Sequence, residues 1–85
     1  MKLWLSEQDE NSDYDTFDKA VVAATDETAA RIIHPSGYTY GDEKWGPETR
    51  YGCWASSPRE VTATYIGEAK EGTEAGVILA SFNAG

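Results

Sequence analysis

The chain has few of the residues on which several classes of protein depend. It contains one cysteine, so no disulfide can close within it, which excludes a disulfide-stapled secreted miniprotein. It contains no run of 18 apolar residues, which excludes a membrane-spanning helix. The apolar opening Met1–Leu5 meets Glu7, Asp9 and Glu10 at once and is too short for a secretory signal. The expected setting is therefore cytoplasmic. Positive charge is scarce: 7 Lys and Arg stand against 15 Asp and Glu, a formal net charge of −8. Such a chain repels phosphate backbones and is drawn to basic surfaces, which proteins that handle nucleic acid commonly carry. Direct nucleic-acid or membrane binding is not expected.

What is present fits one compact domain spanning residues 1–85. Hydrophobic residues make up 40% and aromatics 12% of the chain, too much for a disordered acidic tail. A domain of this size buries only a little over ~60% of its unfolded surface, so its stability margin is thin and a homo-oligomer is a natural way to bury more.

Alternation marks four strands. Lys2–Glu7 sends Leu3 and Leu5 one way and Trp4 the other. Phe17–Ala24 holds the run Ala20-Val21-Val22-Ala23-Ala24. Val61–Ile66 and Val77–Phe82 follow later. Residues 8–16 are turn-rich. Thr25 is placed to cap a helix of about nine residues, with Asp26 and Glu27 in its first turn and Ala29, Ile32 and Ile33 on one face. Pro35 and Gly37 end it near His34. Pro58 opens a single capped turn. The predicted fold is α+β, a small and mostly antiparallel sheet with one short helix packed on one face, in the order β-β-α-(loop or hairpin)-β-β.

Residues 38–56 form a long aromatic-rich loop. Its possible hairpin arms are Tyr38-Thr39-Tyr40 and Tyr51-Gly52-Cys53-Trp54. The aromatics either cap the core or offer a contact surface. Core-capping is the favoured reading. Trp45, among Asp42, Glu43, Lys44 and Gly46, is the best exposed candidate and Tyr40 the next, whereas Trp54 and Tyr65 are core candidates.

Six carboxylates fall within residues 7–18 (Glu7, Asp9, Glu10, Asp13, Asp15 and Asp18) with no Lys or Arg among them. Asp9, Asn11, Asp13 and Asp15 begin as a calcium loop does. Tyr14 then stands where the sharp turn needs Gly, and Ala20 where a bidentate Glu is needed, so no metal site is expected. The stretch is either a docking surface for a basic partner or a solvated loop that aids solubility, and charge pattern alone does not separate the two. His34 reads as a cap at the helix C-terminus. Cys53, with no basic neighbour nearer than Arg50, reads as a small packed residue. The two together make a weak catalytic pair on sequence. No phosphate loop and no nucleophile–base set stands out, and neither an enzyme nor a cofactor is expected.

The whole chain resembles a family of small phage and prophage proteins. The resemblance rests on Lys2-Leu3-Trp4-Leu5, on Tyr14-Asp15-Thr16-Phe17-Asp18 leading into Ala20–Ala24, and on His34-Pro35-Ser36-Gly37. It continues in Gly67-Glu68-Ala69 and Ala80-Ser81-Phe82-Asn83-Ala84-Gly85. It implies a phage-related origin and carries over no active site. Small acidic phage proteins often look like inhibitors of host defence, anti-CRISPR proteins among them, which occupy nucleic-acid-binding surfaces. The expected function is inhibition of a host defence complex through protein–protein interaction. Asp9, Glu10, Asp13, Asp15 and Asp18 would be the contacts and Tyr40 or Trp45 an aromatic anchor. The alternative is a homo-oligomer that sequesters a nucleotide signal, stacking its base on the aromatic loop with Lys44, Arg50 or Arg59 facing phosphate.

Overall fold

A computed structural model of the chain describes residues 1–10, 15–47 and 53–83. Asp13, Arg50 and the arm residues Tyr51 and Gly52 lie outside the described residues. The fold is a small α+β arrangement: four antiparallel strands in one open sheet with one short helix. The strands are β1 (Lys2–Glu7), β2 (Thr16–Ala24), β3 (Thr62–Glu68) and β4 (Gly76–Asn83), and the helix α1 (Glu27–Arg31) follows β2. A single 3₁₀ turn, Pro58–Glu60, precedes β3. The spatial order is β3-β1-β2-β4, so the β1–β2 hairpin is central and the two later strands are the edges.

The hairpin register sets the faces. Trp4 lies opposite Val22, Ser6 opposite Ala20, Leu5 opposite Val21 and Glu7 opposite Lys19. Because side chains alternate along a strand, Trp4, Ser6, Ala20, Val22 and Ala24 share one face, and Leu3, Leu5 and Val21 the other. The first face is the covered one. Trp4, Ala20, Val22 and Ala24 form a core with Ala63 of β3 and Ala30 of α1, flanked by Ile33, Val77 and Ala80. Small residues dominate it, which lets the helix backbone approach the sheet. Trp4 is large but satisfied, its indole N–H donating to the Ala24 carbonyl at 3.1 Å.

The helix is shorter than its sequence suggests. Its cap is Asp26 rather than Thr25: the Asp26 carboxylate accepts the Ala29 N–H at 2.8 Å. It stops at Arg31 because the next residues turn into another ladder. His34 N–H donates to Tyr38 O and Tyr40 N–H to Ile32 O, with Ile33 bridging Thr39. Gly37, at φ 97°, makes the intervening turn. Tyr38–Tyr40 therefore pairs back onto the end of the helix, while half of the other arm of the expected hairpin, Tyr51 and Gly52, lies outside the described residues. Five residues are too few for a stable isolated helix, and α1 is held by Ala30 packing on the sheet. Arg31 fastens its end, donating from Nε to Val61 O at 3.1 Å and Pro58 O at 3.3 Å. Among the described residues no helix is long and apolar enough to cross a membrane.

Candidate functional site

A second cluster lies beyond the hairpin end of the sheet. Trp45, Trp54, Ala55 and Val61 are buried there, with Phe17 and Tyr40 packed against them. The Trp45 indole N–H donates to Ala55 O at 2.8 Å, closing the loop on itself. His34 sits at the centre. Its ring faces Trp45 at 5.3 Å, Tyr38 at 5.5 Å, Phe17 at 6.1 Å and Trp54 at 6.5 Å between centroids.

Two expectations about single aromatics are corrected. Trp45 was expected to be exposed, yet it is only 2% exposed. Its hydrogen bond to Ala55 and its edge contacts with His34 and Tyr40 draw it inward, so it cannot serve as a surface anchor. Tyr40 is half-buried against it, at 5.2 Å. Tyr65 was expected in the core but is 50% exposed. It lies opposite Trp4 on an edge strand, touches only the rim of that ring at 5.7 Å, and donates its hydroxyl to Glu68 at 2.6 Å. That bond to a carboxylate pushes the Tyr65 pKa up. Trp54 is fully buried, as expected.

His34 and Cys53 do meet, with Sγ 3.8 Å from Nε2, but the proton arrangement is wrong for a nucleophile–base pair. The Ser36 N–H donates to Nδ1 at 2.9 Å, which makes Nδ1 the lone-pair nitrogen of the neutral ring and leaves the proton on Nε2, facing sulfur. Burial pushes the His34 pKa down to about 4, so the ring is neutral at pH 7. A neutral imidazole that already carries its proton toward the thiol cannot accept the thiol's own proton there. The pair is a packing contact at the end of the helix. His34 does not make the helix cap expected of it: the C-cap is Ile32, and the backbone and ring of His34 hold the 34–38 turn beyond it.

The acidic residues gather where the hairpin closes. Asp9 and Glu10 follow β1, Asp15 precedes β2, and Asp18 interrupts β2 as a bulge between Phe17 and Lys19. Asp9, Asp15 and Asp18 are exposed. Asp15 takes a left-handed conformation, φ 62°, which Asp tolerates better than most residues. Glu10 is anchored: one carboxylate oxygen accepts the Ser56 N–H at 2.7 Å and the other the Ser56 hydroxyl at 3.1 Å. Beside it Phe17 N–H donates to Cys53 O, and Gln8 donates to Phe17 O at 3.0 Å. The Ser81 hydroxyl hydrogen-bonds Asp18 and holds its carboxyl below the usual carboxylate value, with a smaller contribution from Lys19. The described acidic residues thus lie toward the hairpin end, where Glu10 and Phe17 are tied to the 53–56 segment. The Glu10–Ser56 bond joins positions 46 residues apart and has no local sequence signal. Among the described residues no three His, Cys, Asp or Glu side chains gather as a metal site.

Of the groups that motivated a nucleotide pocket, Arg59 is exposed, Arg50 lies outside the described residues, and two are engaged elsewhere. Lys44 lies over the Tyr38 ring at 5.1 Å, and Trp45 is buried. Among the described residues an apolar groove of about 290 Å³ opens on the uncovered sheet face, between Leu5, Val21 and Leu79. No protein-family model, curated protein or solved structure matches the chain.

Proposed function

We propose that the protein acts by binding and not by catalysis. In this reading the acidic end of the β1–β2 hairpin occupies a basic surface that a host protein complex uses to hold nucleic acid. One observation carries it: Asp9, Glu10, Asp15 and Asp18 converge on one end of the sheet, within a stretch from residue 7 to residue 18 that has no Lys or Arg. Carboxylates on a fixed backbone pair with Arg and Lys more effectively than carboxylates on a floppy loop, because less ordering entropy is lost on docking. The Glu10–Ser56 and Phe17–Cys53 bonds supply that fixing. The resemblance to phage proteins supplies the setting, a bacterial cytoplasm in which a host defence complex is the target. The aromatic anchor drops out of the reading for Trp45, and Tyr40 offers only its half-exposed side.

The test is capture from bacterial lysate by the native protein and by a triple variant, Asp9→Lys, Asp15→Lys, Asp18→Lys. The native protein should capture a complex that handles nucleic acid, and both salt and added duplex DNA should release it. The triple variant should lose the capture. Equal capture by the variant, or indifference to salt and DNA, rejects the electrostatic mechanism.

A further inference from the structure

One face of the sheet is covered by α1 and the other is not. Side-chain alternation places Leu3, Leu5 and Glu7 of β1 on the uncovered face, with Lys19 and Val21 of β2 across from them and Leu79 of β4 beyond Val21. The apolar groove of about 290 Å³ opens there. Leu79 stands at its lip, 69% exposed. The groove has roughly twice the ~150 Å³ that seats one benzene-sized group, enough for two aliphatic side chains of a partner.

One end of the groove meets the acidic residues. Ser81 lines the groove, lies opposite Lys19, and its hydroxyl hydrogen-bonds Asp18. The Asp18 carboxylate is thereby held at the groove's rim. Lys19 also lines the groove, but Glu7 lies directly opposite it on the same face and offsets its charge. With Asp9 following two residues after Glu7, this end of the face is negative.

We propose, resting on the acidic docking surface above, that this groove is the apolar half of the same site. It seats aliphatic side chains of the basic partner that the carboxylates attract, so the partner's contact segment is amphipathic, with aliphatic residues flanked by Arg or Lys. Charge selects that occupant. A second copy of this chain brings another −8 to a face bordered by Glu7 and Asp18, and an anionic lipid surface is repelled in the same way. A cationic segment is attracted, and its aliphatic residues exchange water for Leu5, Val21 and Leu79. The carboxylates then steer and orient the partner, and the groove holds it, as in an interface with an apolar centre and a polar rim.

NMR titration of the native protein with a pair of synthetic heptapeptides tests this. Each has two arginines at either end. One carries leucine at its third and fifth positions, the other serine. The serine peptide reads the carboxylates alone and should shift the amides of Asp9, Asp15 and Asp18, at low salt only. The leucine peptide should shift these and also the methyl signals of Leu5, Val21 and Leu79, and should bind roughly tenfold more tightly through the aliphatic surface it buries. Leu79→Gln, at an exposed position outside the core under α1, should bring the leucine peptide down toward the serine peptide's affinity and leave the serine peptide as it was. The triple variant Asp9→Lys, Asp15→Lys, Asp18→Lys should abolish both. Equal affinity of the two peptides, with the groove methyls unmoved, overturns the proposal and leaves the acidic docking surface standing. Leucine-peptide binding that survives the triple variant or high salt also overturns it, since the groove would then act without the carboxylates. Silence of the serine peptide at low salt fails the acidic docking surface itself, and this proposal with it.

Discussion

The molecule has two cores built on opposite plans. The one under α1 is made of alanine and valine with a single tryptophan, and it sits on paired strands whose backbone ladders fix its geometry. The one around His34 is made of large rings, and it sits on irregular chain held by single bonds such as Trp45 to Ala55 and Phe17 to Cys53. Where the backbone is already positioned by a ladder, small side chains suffice and tight approach is the gain. Where it is not, each large ring must supply the burial that ordering the loop requires. The two cores should therefore fail in opposite directions, the ring core when it is emptied and the small-residue core when it is overfilled.

Trp54→Ala is expected to have the largest effect. It empties the centre of the ring core and should cost about 3–5 kcal/mol, which is most of the stability a domain this small possesses. Circular dichroism should show the variant largely unfolded at room temperature, with the 53–56 segment no longer holding the hairpin end. Ala30→Leu tests the other core. Ala30 is fully buried between α1 and the sheet, and extra methylenes there should cost about 1–3 kcal/mol. Denaturant titration would register it as a lowered midpoint with an unchanged slope. A neutral or stabilising outcome would mean that the helix can lift off the sheet without loss.

The pH response sharpens the comparison, because His34 belongs only to the ring core. Its folded pKa is about 4 against about 6.5 for an unfolded histidine. Between those values the unfolded chain binds the extra proton, so stability is full above pH 6.5 and falls as pH drops toward 4. The slope is at most about 1.4 kcal/mol per pH unit for one proton. The groups packed around the ring are Phe17, Tyr38, Trp45, Cys53 and Trp54, none of which is a carboxylate able to stabilise the imidazolium. His34→Asn, which can still accept the Ser36 N–H, should flatten the stability profile between pH 6.5 and 5. An NMR titration that put the native ring near its ordinary value would show that the cluster is wetter than its packing implies.

Glu10→Gln should act more weakly. It keeps one acceptor for Ser56 but removes the charge that strengthens both bonds, a loss of about 1 kcal/mol at an exposed position. Protease nicking between residues 8 and 16 should rise with it. If nicking is unchanged, the Glu10–Ser56 bonds contribute nothing to holding the hairpin end.

The difference between the two cores also explains what could be read from the sequence. All four strands were legible to within two residues, because alternation and β-branched content are local properties of the segments that form them. Alternation shows that a strand has two faces but not which is covered. Leu3 and Leu5 look more like core than Trp4 and Ser6, yet α1 covers the Trp4 side. The helix was legible at its start to within one residue and misjudged at its end, where the Ile33–Thr39 bridge competes with further helix. The ring core was not legible in detail. Trp45 and Tyr65 exchanged their expected places because one is drawn in by a carbonyl ten residues away and the other stands on an edge with no strand beyond it. The acidic cluster was legible as composition, but its anchoring through Ser56 depends on a contact 46 residues distant.

The smallest effect concerns Ser6, on the covered face of β1 next to the small-residue core. Its side chain is fully buried, and among the described residues its hydroxyl has no hydrogen-bond partner. A buried hydroxyl without a partner has lost its water and received nothing in exchange. Ser6→Ala removes that penalty and leaves a void of one oxygen atom between Ala20 and Ala63, its neighbours across the two ladders. The two terms nearly cancel, so thermal melting should shift by no more than the equivalent of about 1 kcal/mol, and upward. The same substitution in the ring core, were a partnered group chosen, would lower it. A drop of several degrees for Ser6→Ala would show that the hydroxyl is satisfied after all, and that even the small-residue core relies on a polar contact to hold its ladder in place.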